Sequence, residues 1–136
     1  MLDSNILLVS IPISSKYRII FDQFLENKFT LVISNEILLE YAEIISQKTN
    51  SIVSTNIIEM LLSAKNVKMQ EIFYRWQLIV NDEDDNKFID CTIAANADFL
   101  VTNDKHFNSL KSLSFPPIKI LSIDEFVEVL STPSRH

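Results

Sequence analysis

The sequence predicts an α/β domain with a mainly parallel central sheet and helices on both faces. Segments with the apolar pattern of strands alternate along the chain with segments whose apolar residues recur at helical spacing. One strand candidate, FTLVI at residues 29–33, is a continuous apolar run, which is typical of a parallel strand buried on both sides. With 136 residues and neither a linker nor an internal repeat, residues 1–136 are expected to form a single domain.

The first half of the chain predicts two strands and three helices. Leu2 and residues 6–11 have the pattern of a short apolar strand and its exit, and residues 17–26 have the apolar spacing of a helix. After FTLVI, Ser34 is expected to cap a helix with Tyr41 on its apolar face. A further helix is expected to begin at Thr55.

The second half predicts two more strands and two more helices, after an ambiguous stretch at residues 67–81. Within that stretch RWQLIV, residues 75–80, is compatible with a strand. The remaining elements are expected to be a helix at 86–96, a strand at Phe99–Thr102, a strand at Ile118–Leu121, a Ser122-capped helix at 123–130 and a frayed tail TPSRH.

Composition excludes several classes of protein. The chain has no glycine, so it cannot contain the glycine-rich loops that hold phosphates in Walker or dinucleotide-binding sites. The net charge of -6 argues against a broad basic surface for nucleic acid, but not against a nuclease whose carboxylates bind cations. The apolar fraction of 47% is sufficient for a hydrophobic core.

Targeting signals are not evident in the sequence, so a cytoplasmic location is expected. No apolar run reaches the roughly 18 residues that a membrane span needs, and no secretory signal pattern is visible. Cys91 is the single cysteine and cannot form an internal disulfide, which fits a reducing compartment.

Four acidic residues fall where an α/β topology is expected to gather them. Asp3 lies by the first strand, Glu40 in the helix after FTLVI, Asp85 at the start of a helix, and Asp104 after the strand that ends at Thr102. In open parallel sheets, sites lie beyond the carboxyl ends of the strands. Carboxylates in that position are suitable ligands for Mg²⁺ or Mn²⁺.

Each acidic residue also has a simpler interpretation. An aspartate at a strand end or helix start is often a cap or a solvated turn residue, and this holds for much of the acidic run 82–85. Glu40 is harder to explain in this way, because it interrupts an apolar stretch from Ile37 to Tyr41. A carboxylate on a buried face needs a partner or a metal.

Three segments, taken in order, resemble the PIN-domain ribonucleases. MLDSN at residues 1–5 resembles their hydrophobic-Asp-Thr-Asn start, and LVISNEILLEYAEII at 31–45 resembles their second strand and helix. DEDDNKFIDCTIAANADFLVTNDKHF at 82–107 is similar to a branch described as toxin components of toxin–antitoxin systems, as is the later KILSIDEFVEVL. The resemblance implies a Rossmann-like three-layer sandwich, a divalent metal and cleavage of single-stranded RNA.

The resemblance also implies roles for individual residues and for partners. Asp3, Glu40, Asp85 and Asp104 match the catalytic, metal-binding positions, and Ser4, Asn5 and Thr102 are expected to support them. Ser4 stands where the family prefers threonine, and only Met1 and Leu2 precede Asp3. A small antitoxin partner is typical of the branch, and homodimers are common in the wider family.

The third acidic ligand has two candidates, Asp85 and Asp90. Asp90 begins a segment that copies a motif of the wider family, yet it lies only 12 residues before Thr102, which favours Asp85. Five residues at about 100° each place the two side chains about 140° apart on a helix, so both cannot share a face if both are helical. We rank Asp85 first and keep Asp90 as a secondary acidic residue.

Other residues offer weaker evidence. His106 is expected to be a surface residue and Cys91 a core residue. Trp76, with Phe73 and Tyr74, is expected to pack in the core rather than form a dimer face or stack on an RNA base. Five cations are candidates for contacts with phosphates, although each is also explained as a solvated residue: Lys16, Arg18, Lys87, Lys105 and Lys111.

Three functional hypotheses remain open at this stage. The first is a metal-dependent endoribonuclease, in which the metal activates water and no histidine base is needed. The second is an aspartyl phospho-acceptor or phosphatase-like domain with Asp3 as nucleophile, although Asn5 stands where such proteins carry a second aspartate. The third is a catalytically silent binding subunit of the same fold, which the retained carboxylates disfavour.

Overall fold

The chain forms six α-helices, four short strands and one 3₁₀ helix within the residues described by its computed structural model, namely 1–79, 83–112, 116 and 118–132. In chain order these elements are α1 (Ser4–Ser10), α2 (Arg18–Leu25), β1 (Leu31–Ile33), α3 (Asn35–Lys48), α4 (Ser51–Ser63), β2 (Val67–Met69), α5 (Glu83–Ala94), β3 (Leu100–Val101), the 3₁₀ helix (Lys105–Ser112), β4 (Ile120–Leu121) and α6 (Ile123–Ser131).

The strands form two parallel pairs. β1 pairs with β2, with Leu31 opposite Val67, and β3 pairs with β4, with Leu100 opposite Ile120. Parallel pairing needs a long crossover between partners, and helices supply it in both pairs. The α/β class and the parallel pairing expected from the sequence are therefore observed, but the described strands form two separate two-stranded sheets instead of one central sheet.

The start of the chain extends the second pair. Val101 N–H donates to the Met1 carbonyl at 2.9 Å, and Asp3 N–H donates to the Val101 carbonyl at 3.1 Å. Leu2 thus lies parallel to Val101 as an isolated bridge. This pairing fixes the backbone of Asp3 beside the carboxyl end of β3.

Side-chain caps set the beginnings of several helices. The Ser34 hydroxyl accepts the Ile37 N–H at the start of α3, as the sequence predicts. Ser122 and Glu125 form a reciprocal capping box at the start of α6, which confirms the predicted cap. The expected start of α4 at Thr55 is wrong, because Asn50 accepts the Val53 N–H and the helix begins at Ser51.

Two other sequence predictions are also wrong. Residues 6–11 do not form a strand: Ser4–Ser10 is helix α1, because the Asp3 carboxylate accepts the Ile6 N–H at 3.0 Å and starts a helix. Residues 75–79 form no strand, and the strand of this region is β2 at Val67–Met69; Val80 lies outside the described residues. The predicted fraying of residues 133–136 also falls outside them.

The hydrophobic core joins the strands to the helices around them. All three residues of β1 are buried, and they pack in one cluster with Ile37 of α3 and Ile89 of α5. Tyr41 is fully buried, and its hydroxyl donates to the Leu2 carbonyl. This contact ties α3 to the extended segment that carries Asp3.

Within the described part of the chain, no helix has the length and apolar character that crossing a membrane requires.

Candidate metal centre

Asp3 is held rigidly between two elements. Its carboxylate accepts the Ile6 N–H at 3.0 Å with one oxygen and the Thr102 hydroxyl with the other. The residue is only 8% exposed. Burial raises the pKa of Asp3 above its ordinary value and the nearby Asp104 charge adds to the rise, while the hydrogen bonds from Thr102 and Ile6 oppose it.

Thr102 connects Asp3 to Asp104. Its hydroxyl donates to Asp3, and the same oxygen accepts the Asp104 backbone N–H at 3.0 Å. Thr102 is buried immediately after β3, where the chain turns into the loop before the 3₁₀ helix. One side chain therefore fixes the positions of two acidic residues that are distant in sequence.

Asp85 and Asp104 converge on His106. The His106 Nδ1 atom lies 3.1 Å from Asp104 Oδ1 and 3.5 Å from Asp85 Oδ2. One ligand atom from each of the three residues lies within 4.8 Å of the other two. Asp85 comes from the first turns of α5 and Asp104 from the loop after β3, so two separate elements supply the cluster.

Glu40 lies in a second group of polar contacts. Its Oε1 atom is 2.6 Å from the Lys87 Nζ atom, and its Oε2 atom accepts the Ser4 hydroxyl. Both side chains of the ion pair are largely shielded, with 12% of Lys87 and 22% of Glu40 exposed. Ser4 comes directly after Asp3, and Lys87 comes two residues after Asp85. These contacts therefore connect Glu40 to both segments that carry the aspartates.

Asp90 has a different environment from Asp85. Its carboxylate is buried and accepts the Trp76 N–H at 2.9 Å. Burial raises its pKa above the ordinary aspartate value, against the hydrogen bond from Trp76. Asp85 and Asp90 both lie in α5, so their side chains are about 140° apart around its axis.

A PIN-domain family model matches residues 1–106 of the chain. The chain belongs to the PIN-domain family. Comparisons with curated proteins and with solved structures gave no significant match. The matched range contains all four acidic residues that the sequence singled out, together with His106. PIN domains are commonly nucleases, often metal-dependent ribonucleases, and typically bind divalent metals.

The donor set of this PIN domain suits a divalent cation. Asp85 and Asp104 offer carboxylate oxygens and His106 offers a ring nitrogen, all at a separation that one ion could bridge. Asp3 lies one hydrogen-bonded residue away, through Thr102. Burial raises the pKa of Asp3 because it disfavours the negatively charged carboxylate, and a nearby cation would stabilise that charged form.

Two residues beside the acidic cluster have contacts that the sequence did not predict. His106 was expected at the surface, and 63% of its side chain is indeed exposed, but its ring nitrogen is directed at two carboxylates. Lys87 was one of five candidate cations, and its contact with Glu40 spans 47 positions of sequence, which no local pattern reveals. In the sequence, the position of His106 two residues after Asp104 could have indicated that the two side chains lie close together.

Two of the remaining candidates, Asn5 and Cys91, agree with simpler roles. Asn5 is exposed, and its backbone contributes a hydrogen bond to the Asp3 carboxylate. Cys91 is fully buried, and burial raises the pKa of its thiol to about 12, which is unsuitable for a nucleophile. The expected core position of Trp76 is wrong, because this residue is only partly buried, lies outside the core cluster and makes an edge-to-face contact with the exposed Tyr74, with ring centroids 4.9 Å apart.

Two cavities differ in their relation to the carboxylates. A cavity of about 500 Å³ is lined by Ser34, Phe73, Arg75, Lys87 and Asp90, so it opens beside the Glu40–Lys87 pair. A larger cavity of about 980 Å³ is lined by residues that precede β1 and β3, among them Thr30 and Phe99, at the opposite ends of those strands. Asp3, Glu40, Asp85 and Asp104 line neither of these two cavities, but the smaller one reaches Lys87, the ion-pair partner of Glu40.

The metal-free protein is expected to gain stability at neutral pH when Asp3 is replaced by Asn. The folded-state pKa of Asp3 is raised above its unfolded value, so the folded state favours the protonated form. The contribution of Asp3 to stability is therefore fully present below its pKa in the unfolded state, and it is lost as the pH rises through its pKa in the folded state. Urea denaturation in EDTA across the range from acid to neutral pH measures the effect.

The Asp3→Asn gain should shrink as the pH falls, because wild-type Asp3 becomes neutral as well. Asp98→Asn, at an exposed carboxylate, serves as the control and should show no comparable pH-dependent gain. A wild-type protein that is more stable than Asp3→Asn at neutral pH without metal would contradict the expectation.

Proposed function

We propose that this PIN domain is a divalent-metal-dependent endoribonuclease that hydrolyses single-stranded RNA. The observation that carries the proposal is the convergence of Asp85, Asp104 and His106 at the end of β3, with Asp3 joined to them through Thr102. The proposed catalytic and metal-binding residues are Asp3, Glu40, Asp85 and Asp104, on a Rossmann-like three-layer sandwich.

Each part of the site has a distinct task in this proposal. Asp85 and Asp104 would hold Mg²⁺ or Mn²⁺, and Thr102 would keep Asp3 and Asp104 in register. The bound ion would supply an activated water and neutralise charge that develops on phosphorus. Lys87 contacts Glu40 and lines the smaller cavity. In this proposal, a phosphate of the RNA backbone would replace the Glu40 carboxylate as the partner of Lys87.

The smaller cavity suits an unpaired nucleotide. The Phe73 ring is 87% exposed beside it, and a base can stack on an exposed aromatic face. The Arg75 side chain is 61% exposed, 3.7 Å from Glu36, and offers a second cation at this opening. A stacked base must be unpaired, which favours a single-stranded substrate.

The resemblance of residues 82–107 to toxin components supports a more specific role. We propose that the chain is the toxin of a toxin–antitoxin pair, acts in the cytoplasm, and is inhibited by a cognate antitoxin protein; a homodimer is a further proposal from the wider family. The geometry of Asp3 does not favour the phospho-acceptor alternative, because the carboxylate is buried and both of its oxygens accept hydrogen bonds.

Cleavage of a labelled single-stranded RNA tests the enzymatic proposal. We expect cleavage that requires Mg²⁺ or Mn²⁺, stops in EDTA and is lost in an Asp3→Asn, Asp104→Asn double variant. Asp98→Asn is the matched control and should cleave normally, because it removes an exposed carboxylate that lines the larger cavity and precedes β3, whereas Asp104 follows β3. Unchanged cleavage by the double variant would exclude this site as the catalytic centre.

Two further measurements separate the remaining alternatives. A folded chain that binds no Mn²⁺ in calorimetry would favour a silent binding subunit over a nuclease. Induced expression of the wild type should arrest growth of a bacterial host, while the double variant should not. Equal growth of the two strains would argue against the toxin role without affecting the ribonuclease assay.

A further inference from the structure

His106 is the one nitrogen donor in a cluster otherwise made of carboxylates. Its Nδ1 atom lies 3.1 Å from Asp104 Oδ1 and 3.5 Å from Asp85 Oδ2. The ring nitrogen and one oxygen from each aspartate are mutually within 4.8 Å. An ion in contact with both carboxylates at this place would also be within reach of the imidazole.

The backbone around His106 fixes where its side chain starts. The His106 N–H donates to Asp104 Oδ1 at 2.9 Å, so the same carboxylate contacts both the backbone and the ring of this residue. The next residue, Phe107, is 1% exposed and packs in the core. The start of the 3₁₀ helix is thus anchored on one side by Asp104 and on the other by the core.

We propose that His106 is a direct metal ligand of this site, and that the site therefore prefers a later first-row transition-metal ion such as Co²⁺ to Mg²⁺. This inference rests on the proposed metal-dependent function. Mg²⁺ favours an all-oxygen shell and gives up its water reluctantly, whereas imidazole is a good ligand for later first-row ions. One nitrogen among the donor atoms therefore shifts the metal selectivity of the site away from Mg²⁺ and towards these later ions.

A competing role for His106 is that of a cation. A protonated imidazole between two aspartates would form ion pairs with both, and a metal would then have to displace it. The two roles give opposite expectations for a His106→Gln variant. A ligand role predicts weaker transition-metal binding, while an ion-pair role predicts metal binding that is unchanged or stronger.

Pulsed electron paramagnetic resonance of Mn²⁺ bound to the full chain is the direct test. We expect a nitrogen coupling from a histidine bound to Mn²⁺ in the wild type, and its loss in His106→Gln. The chain has only one other histidine, His136, so His136→Gln is the matched control and should keep the coupling. A coupling absent from the wild type, or retained in His106→Gln, would overturn the proposal.

Calorimetry provides the second readout. For His106→Gln we expect the affinity for Co²⁺ to fall at least about tenfold, since changes even in residues behind metal ligands commonly cost that much. The affinity for Mg²⁺ should change less. Equal losses for both ions, or no loss for Co²⁺, would overturn the selectivity claim.

The outcomes distinguish this inference from the function on which it rests. Mn²⁺ binding without a nitrogen coupling removes His106 from the ligand set but leaves the metal-dependent nuclease intact. A folded wild-type chain that binds neither Mn²⁺ nor Co²⁺ overturns both.

Discussion

Asp85→Asn is expected to reduce RNA cleavage by on the order of 10³-fold, equivalent to about 4 kcal/mol of lost transition-state stabilisation. The Asp85 carboxylate lies 3.5 Å from the His106 ring and within 4.8 Å of an Asp104 oxygen. Replacing one carboxylate by a neutral amide weakens the hold on a divalent ion. Single-turnover cleavage of a short RNA, at the lowest Mn²⁺ concentration that saturates the wild type, measures the loss.

Asp90→Asn is the matched variant, because it makes the same chemical change five residues later in the same helix. The amide oxygen can still accept the Trp76 N–H, and because burial raises the pKa of Asp90 a neutral amide should not lower stability at neutral pH. Cleavage should stay within about threefold of wild type, which is less than 1 kcal/mol. A large loss in Asp90→Asn with normal activity in Asp85→Asn would reverse our ranking of the two residues.

Phe107→Ala is expected to lower the free energy of unfolding by about 3–5 kcal/mol, which is the range for removal of a fully buried aromatic side chain. Phe107 is 1% exposed, so its truncation leaves a cavity in the core. The loss also affects the site, because Phe107 anchors the segment that carries His106. Chemical denaturation followed by circular dichroism measures the change in stability.

Phe73→Ala provides the control, since it removes the same side chain at a position that is 87% exposed. Its effect on stability should be within about 0.5 kcal/mol. Phe107→Leu should recover most of the lost stability and so keep the protein folded for metal-binding measurements. Equal destabilisation by Phe107→Ala and Phe73→Ala would show that the 3₁₀ helix does not pack as described.

Several strand ends and helix caps were the features of the structure that the sequence predicted best. Apolar runs followed by polar residues located β1 and β3, and Ser34 and Ser122 marked helix starts, because these signals are local. The same signals placed Asp104 just beyond a strand. The family resemblance extended this reading to Asp3, Glu40 and Asp85 as members of one site, which remains a proposal.

The errors came from features that depend on distant partners. Residues 6–11 are a short apolar run, which fits a strand as well as a buried helix, and the Asp3 cap decides for the helix. β2 is only three residues long, with exposed Lys68 and Met69, and it exists because β1 supplies its partner strand. The direction of the His106 ring depends on two carboxylates held by other elements.

The hydrogen bond from Thr102 to Asp3 joins residues 99 positions apart in the sequence. Contacts this distant form late in folding, because closing so long a loop is costly in entropy. During synthesis, Asp3 leaves the ribosome long before Thr102 and Asp104 can meet it. We therefore expect a nascent chain to remain inactive towards the surrounding RNA, its own message included, until most of the domain has been made.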